Sequence, residues 1–227
     1  MLLTAGLLAG CSGTLSPVSR VATSTAGTGD LLLPVRSMEE NKFNGIVRQR
    51  FDFSCGSAAL ATLLRYHYGR PLNEQQTFAG MWRDGDRAAI RKVGFSLLDM
   101  KRYLASLDLR ADGFKVSLDQ IQKTGIPGIA LITVRNYRHF VVVKGVSDSE
   151  VLIGDPSIGL RAMRRDEFQS VWNGIFFVLN SEQDRGRSAF NTGLQWASLP
   201  RSPLGARFAD PISQQALALT APFYRDF

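Results

Sequence analysis

Cysteine and histidine are scarce in these 227 residues: Cys11, Cys55, His67 and His139 are the whole supply. A disulfide framework is excluded with one possible pair, and a zinc site built from Cys and His alone would need all four residues, two of them in unfavourable places. No apolar run after the first residues reaches the roughly 18 to 20 that cross a bilayer. A Gly-x-x-x-x-Gly-Lys-[Ser/Thr] loop is missing, so neither ATP hydrolysis nor export powered by this chain is expected. The formal charge of +7 and pI near 9.8 come without RNA-binding aromatic motifs or zinc-finger spacing, which argues against nucleic acid as a partner. The basic residues are scattered and mostly interleaved with acids, the pattern of a solvated surface.

What is present is ordinary globular composition, 44% hydrophobic and 21% charged. The length suits one domain of roughly 140 residues plus tails. Residues 1–9 are apolar and lead into Gly10-Cys11-Ser12-Gly13 and a Ser/Thr/Gly-rich stretch. That run is too short to span a membrane and matches a secretory signal core. Leu8-Ala9-Gly10-Cys11 resembles a bacterial lipobox, which implies lipidation of Cys11, export and a periplasmic location. The expected organisation is a signal or lipobox-like segment at 1–11, a linker at 12–42 with a small apolar island at Leu31-Leu32-Leu33-Pro34, a domain at 43–181 and a tail at 182–227 with one helical turn near 214–219.

Within the domain, Ser54 is placed to cap a helix over 55–68, where Leu60, Leu63, Leu64 and His67 share one face before Gly69 and Pro71 end it. Ser96-Leu97-Leu98-Asp99 and Ser117-Leu118-Asp119-Gln120 have capping-box form and predict two more helices. Strand-like runs follow at 128–134, 139–146, 151–154 and 175–179, interrupted by a short helix at 166–172. Helices first and antiparallel strands second make an α+β fold.

Four residues could carry chemistry. Cys55 opens the predicted helix, where unpaired backbone N–H groups favour a thiolate; the small Gly56 and Ser57 would let a substrate backbone approach. His67 lies twelve residues along the same helix, about 18 Å away at 1.5 Å per residue, and so cannot serve as its base. His139 is left. The hairpin joining 139–146 to 151–155 through Ser147-Asp148-Ser149-Glu150 brings Asp155 opposite His139 or one diagonal step away, within reach of its imidazole. Gln49, six residues before Cys55, could fold back as an oxyanion donor beside the Cys55 N–H. Taken singly, each has a plainer reading: Cys55 as a small buried hydrophobe, Asp155 as a turn former before proline, Gln49 as a solvated loop residue.

Taken together, Gln49-Arg50-Phe51-Asp52-Phe53-Ser54-Cys55-Gly56, His139-Phe140-Val141-Val142-Val143 and Val151-Leu152-Ile153-Gly154-Asp155-Pro156-Ser157-Ile158-Gly159 resemble the cysteine, histidine and aspartate boxes of the peptidase C39 family. The resemblance covers about residues 43–181. It implies a papain-like cysteine peptidase fold with Cys55 as nucleophile, His139 as general base, Asp155 as its orienter and Gln49 as oxyanion donor. It also implies no cofactor and a polypeptide substrate, cleaved after a Gly-Gly-type site. Ser54 stands where many leader peptidases of the family carry an acid. An export signal followed by a stand-alone domain resembles the C39-like peptidases of functional-amyloid secretion systems, whose components would be partners. A non-cleaving polypeptide-binding module, or an acyl-transfer or amidase enzyme on a papain-like scaffold, are the competing readings.

Overall fold

Residues 55–67 are apolar or small on nearly every face, and a helix of that kind has to be enclosed. The computed structural model describes residues 20–25, 28–34, 37–51, 54–135 and 137–199. The leader with Cys11 and the turn expected near 214–219 lie outside the described residues.

Residues 20–34 form an antiparallel hairpin of their own, β1 (Arg20–Thr25) with β2 (Thr28–Pro34). The apolar island is therefore strand, with Leu31 opposite Thr23 and Leu33 opposite Val21, where a linker had been expected. The short α1 (Met38–Lys42) follows.

The second unit, residues 39–227, holds the remaining elements. Four helices come first: α2 (Cys55–His67), α3 (Glu74–Asp84), α4 (Arg87–Val93) and α5 (Leu97–Ala105). Then come β3 (Ala111–Lys115), α6 (Leu118–Thr124), β4 (Gly128–Val134), β5 (Tyr137–Val146), β6 (Glu150–Asp155) and β7 (Gly159–Arg164). α7 (Arg165–Val171), β8 (Trp172–Leu179), α8 (Gln183–Ser188) and α9 (Gly193–Ala197) complete the described chain. Six strands make one antiparallel sheet in the order β3-β8-β4-β5-β6-β7, so the α+β reading holds.

Both faces of that sheet are covered, which is why β4 and β5 read as continuous apolar runs. Ile129, Leu131, Phe140 and Val142 join a core shared with α2 and α5, while Ala130, Ile132, Val141 and Val143 join one shared with α6 and α7. In α2, Ala58, Ala59, Leu60, Ala61, Leu63 and Leu64 have no solvent exposure. Burying each leucine contributes about 1.5 to 3 kcal/mol. The capping boxes at Ser96 and Ser117 form as expected, and a third, Asn73 with Gln76, starts α3.

Between the pairs Val143↔Ile153 and Gly145↔Leu152 the register slips by one, leaving Lys144 as a bulge residue in β5. Its carbonyl, freed from the ladder, accepts Asn191 N–H at 2.8 Å. Its side chain is 2% exposed, and the ammonium donates to Gly45 O (3.1 Å) and His67 Nε2 (3.2 Å). His67 Nδ1 in turn donates to Ala189 O (3.1 Å). The stretch expected as a tail thus carries two short helices and, up to Leu199, is tied to the body through Ala189, Phe190 and Asn191.

Candidate active site

α2 begins with Cys55, 8% exposed. Ser54 sits at the N-cap position but makes no side-chain cap bond. Its hydroxyl instead bonds to Phe51 O (2.9 Å) and Glu74 Oε1 (2.5 Å). Gly56 is needed for packing: a Cβ there would lie 3.0 Å from Phe95 Cβ and 3.1 Å from Met100 Cε. Ser57 is fully buried, with its hydroxyl on Ser54 O. Neither small residue is there to admit substrate, the role expected from sequence.

His139 lies where β5 runs on past the end of β6. Pairing of Val142 with Gly154 sets Asp155 opposite Val141, one diagonal step from His139 and on the same face. The contact is made: His139 Nε2 and Asp155 Oδ1 are 2.8 Å apart. The Cys55 side chain acts on the same imidazole, through hydrogen bonding and charge. Burial by itself would push the imidazole pKa down. The hydrogen bonds and charges of Asp155 and Cys55 outweigh it and raise the value to about 9.

Asp155 is 1% exposed and heavily solvated by protein. Its Oδ1 also accepts Ser157 N–H (2.9 Å), Ser157 Oγ (2.7 Å) and Ile158 N–H (3.3 Å), and Arg161 Nη2 stands 3.4 Å from Oδ2. Burial pushes this carboxyl up, but the bond and charge of His139 and the Ser157 donors hold it at about 2. The turn closes at Gly159, φ +100°, where a Cβ would lie 2.5 Å from Lys42 O; only glycine fits there.

Gln49 reaches the same neighbourhood through its backbone, donating to Pro156 O at 2.9 Å. Its side-chain Oε1 is buried without a hydrogen-bond partner. The next residue, Arg50, donates its N–H to Glu74 Oε1 at 2.9 Å. Glu74, 5% exposed, thus grips both sides of the chain entering Cys55, a connection with no local sign in the sequence because it crosses from α3. Ser157 was legible, since an Asp two residues before Ser in a turn forms this bond routinely.

A groove of about 430 Å³ opens beside Cys55, walled by Phe95, Leu131 and Phe140 with Tyr137 and Arg138 at its border. A cysteine at a helix start, set against a histidine and aspartate on adjacent strands, is the arrangement of a papain-like cysteine peptidase. The chain belongs to the peptidase C39 family, whose sequence model matches residues 44–184. It is 41% identical over 182 residues to a protein of Pseudomonas aeruginosa described as "Probable functional amyloid protease FapD", covering 80% of this chain and 77% of that one. A Pseudomonas fluorescens protein of the same description is 40% identical over 174 residues, covering 76% and 74%. Among solved structures, the peptidase domain of Streptococcus ComA, a bi-functional ABC transporter, superposes with a TM-score of 0.50 at 24% identity over 59% of this chain and 96% of that domain; it shares the fold. The protein is therefore a cysteine peptidase acting on a polypeptide.

Proposed function

We propose that Cys55 is the nucleophile of an endopeptidase that cleaves a co-exported polypeptide, with His139 as general base and acid, Asp155 as orienter and Gln49 as oxyanion donor. The observation carrying this is the bridging position of His139, bonded to Cys55 and 2.8 Å from Asp155. With its pKa near 9, His139 keeps the proton it accepts from the thiol during attack and delivers it to the leaving amine. The acyl thioester is then hydrolysed by water that His139 deprotonates. Asp155 fixes the ring and stabilises the imidazolium. The Gln49 amide and the Cys55 N–H receive the oxyanion. Aromatic walls close to the sulfur suit residues with little side chain at the scissile bond, in keeping with a Gly-Gly-type site.

The leader supports action in the periplasm, anchored through lipid on Cys11, and the relatives' description supports a substrate from functional-amyloid export. Incubation with candidate co-exported polypeptides, beside Cys55→Ala, tests the activity: new termini found by mass spectrometry only with wild type are expected, and identical products overturn it. Cys11→Ser should move the protein from the membrane pellet to the soluble periplasmic fraction; unchanged partition overturns the anchor.

A further inference from the structure

The charge around the Cys55 groove is one-sided. Arg91 and Lys92, in the last turn of α4, and Arg138, next to His139 on β5, line it, and among the described residues no acidic side chain does. Elsewhere on the surface several arginines are matched: Arg48 with Glu39, Arg70 with Glu182, Arg83 with Asp84 and Arg187 with Asp184. Arg65, Arg102, Arg110 and Arg135 are exposed and, among the described residues, form no ion pair, but they are dispersed rather than gathered at one groove. Among the described residues these three groove cations are exposed and form no ion pair.

A plainer account covers part of this. Cations in a last helical turn favour the helix dipole, so Arg91 and Lys92 alone would say little. Arg138 serves no helix, and yet it borders the same groove. The Arg91 guanidinium lies over the Trp82 ring, 5.2 Å from its centroid. That contact uses the flat face and leaves the N–H edges for a planar anion.

Resting on the peptidase reading, we propose that the groove selects polypeptides with Asp or Glu within about three residues of the scissile bond. Three residues of extended chain span about 10 Å, the scale of a groove that holds the sulfur and all three cations. Carboxylates match the guanidinium fork of Arg91 and Arg138. Because the cations are exposed, each pair is weak, and selection is several-fold rather than absolute. Positive potential at the groove also speeds the arrival of acidic segments.

The test has two arms. In the first, a chymotryptic peptide library from a bacterial proteome is digested by wild type, Cys55→Ala and the triple variant Arg91→Gln/Lys92→Gln/Arg138→Gln, and new termini are read by mass spectrometry. Wild-type cuts should be enriched about threefold or more in nearby Asp and Glu, with the ratio falling to about one in the triple variant. Cuts without acid enrichment, or enrichment kept by the triple variant, overturn the proposal. A wild-type digest identical to that of Cys55→Ala overturns the peptidase reading instead.

The second arm needs no cleavage. Cys55→Ala is titrated, by anisotropy, with two fluorescein-labelled decapeptides centred on Gly-Gly, one flanked by three Glu and one by three Gln. The Glu peptide should bind about threefold to tenfold more tightly at low salt, with the difference vanishing near 1 M salt, where the Debye length is about 3 Å. Equal binding of the two overturns acid selection, whatever the digest shows.

Discussion

The His139 imidazole reaches Asp155 at 2.8 Å with both groups buried, so protonation at this pair is coupled to folding. Raised from 6.5 to about 9, His139 contributes stability that is fully present below pH 6.5 and is lost as pH rises through 9. Asp155, lowered from 3.8 to about 2, contributes stability present above pH 3.8 and lost as pH falls through 2. The joint contribution is therefore greatest between about pH 4 and 6.5. Lys144 acts in the other sense: burial lowers it to about 8, so its penalty is relieved above that pH. The diagnostic is thus a difference. Urea midpoints of wild type should fall between pH 6.5 and 9 relative to those of Asp155→Asn; parallel curves would refute the coupling.

The same pair sets a hierarchy of activity. His139→Ala and Cys55→Ala should each remove nearly all turnover. Asp155→Ala should retain about 10²-fold more, because the base survives without its orienter. Gln49→Ala should lower kcat about 10² to 10³-fold with little change in KM. Steady-state kinetics on one cleaved peptide, with circular dichroism to verify folding, decides the order. Equal losses for His139→Ala and Asp155→Ala in folded proteins would contradict it.

Glu74 supplies, from α3, a carboxylate next to Ser54, the position where many leader peptidases of the family carry an acid of their own. Glu74→Ala leaves the Arg50 N–H without its acceptor and takes from the Ser54 hydroxyl one of its two, Phe51 O remaining, and should cost about 1 to 3 kcal/mol. Glu74→Gln, which keeps an oxygen in place, should cost less and recover most of kcat. Denaturation midpoints and kcat measured together distinguish this from general destabilisation: the Ala variant should lose kcat even at temperatures where it is fully folded.

α3 and α5 approach closely at Gly80, where a Cβ would fall 2.1 Å from Tyr103 Cε2. Tyr103 is buried at 5% exposure and has little room to yield. Gly80→Ala should therefore destabilise by about 1 to 3 kcal/mol through overpacking, despite the better helix propensity of alanine. Thermal unfolding tests this; an unchanged or higher Tm would show that the ring moves aside at little cost.

The parts of this molecule legible in its sequence are those with local causes. α2 follows from its apolar faces and from Gly69, the box-capped α5 and α6 from Ser96 and Ser117, and the meeting of His139 with Asp155 from a short hairpin. Other elements gave weaker signals. α3 is rich in Glu, Gln and Thr and shows little apolar period, although its Asn73-Gln76 box was there to be read. β3, Ala-Asp-Gly-Phe-Lys, has poor strand propensity and forms at the sheet edge because β8 pairs with it. Glu74 and the Lys144–His67 contact join residues far apart in sequence, and no local rule reports them. Gly56 was misread because its neighbours Phe95, Met100 and Phe140 come from elsewhere in the chain.

The bulge at Lys144 makes the spacing of the histidine and aspartate boxes a matter of parity. With the 147–149 turn fixed and the bulge straightened, so that Lys144 takes a regular place in the ladder, Asp155 would stand opposite Val142 and its carboxylate would emerge on the far side of the sheet from His139. Every chemical group would survive, and the pair would not meet. Between these two boxes, then, an odd change in length without a bulge gained or lost to match it is expected to be a loss-of-function change, while an even one can keep the carboxylate on its side. Relatives with unusual box separations can be sorted by that count before any of them is assayed.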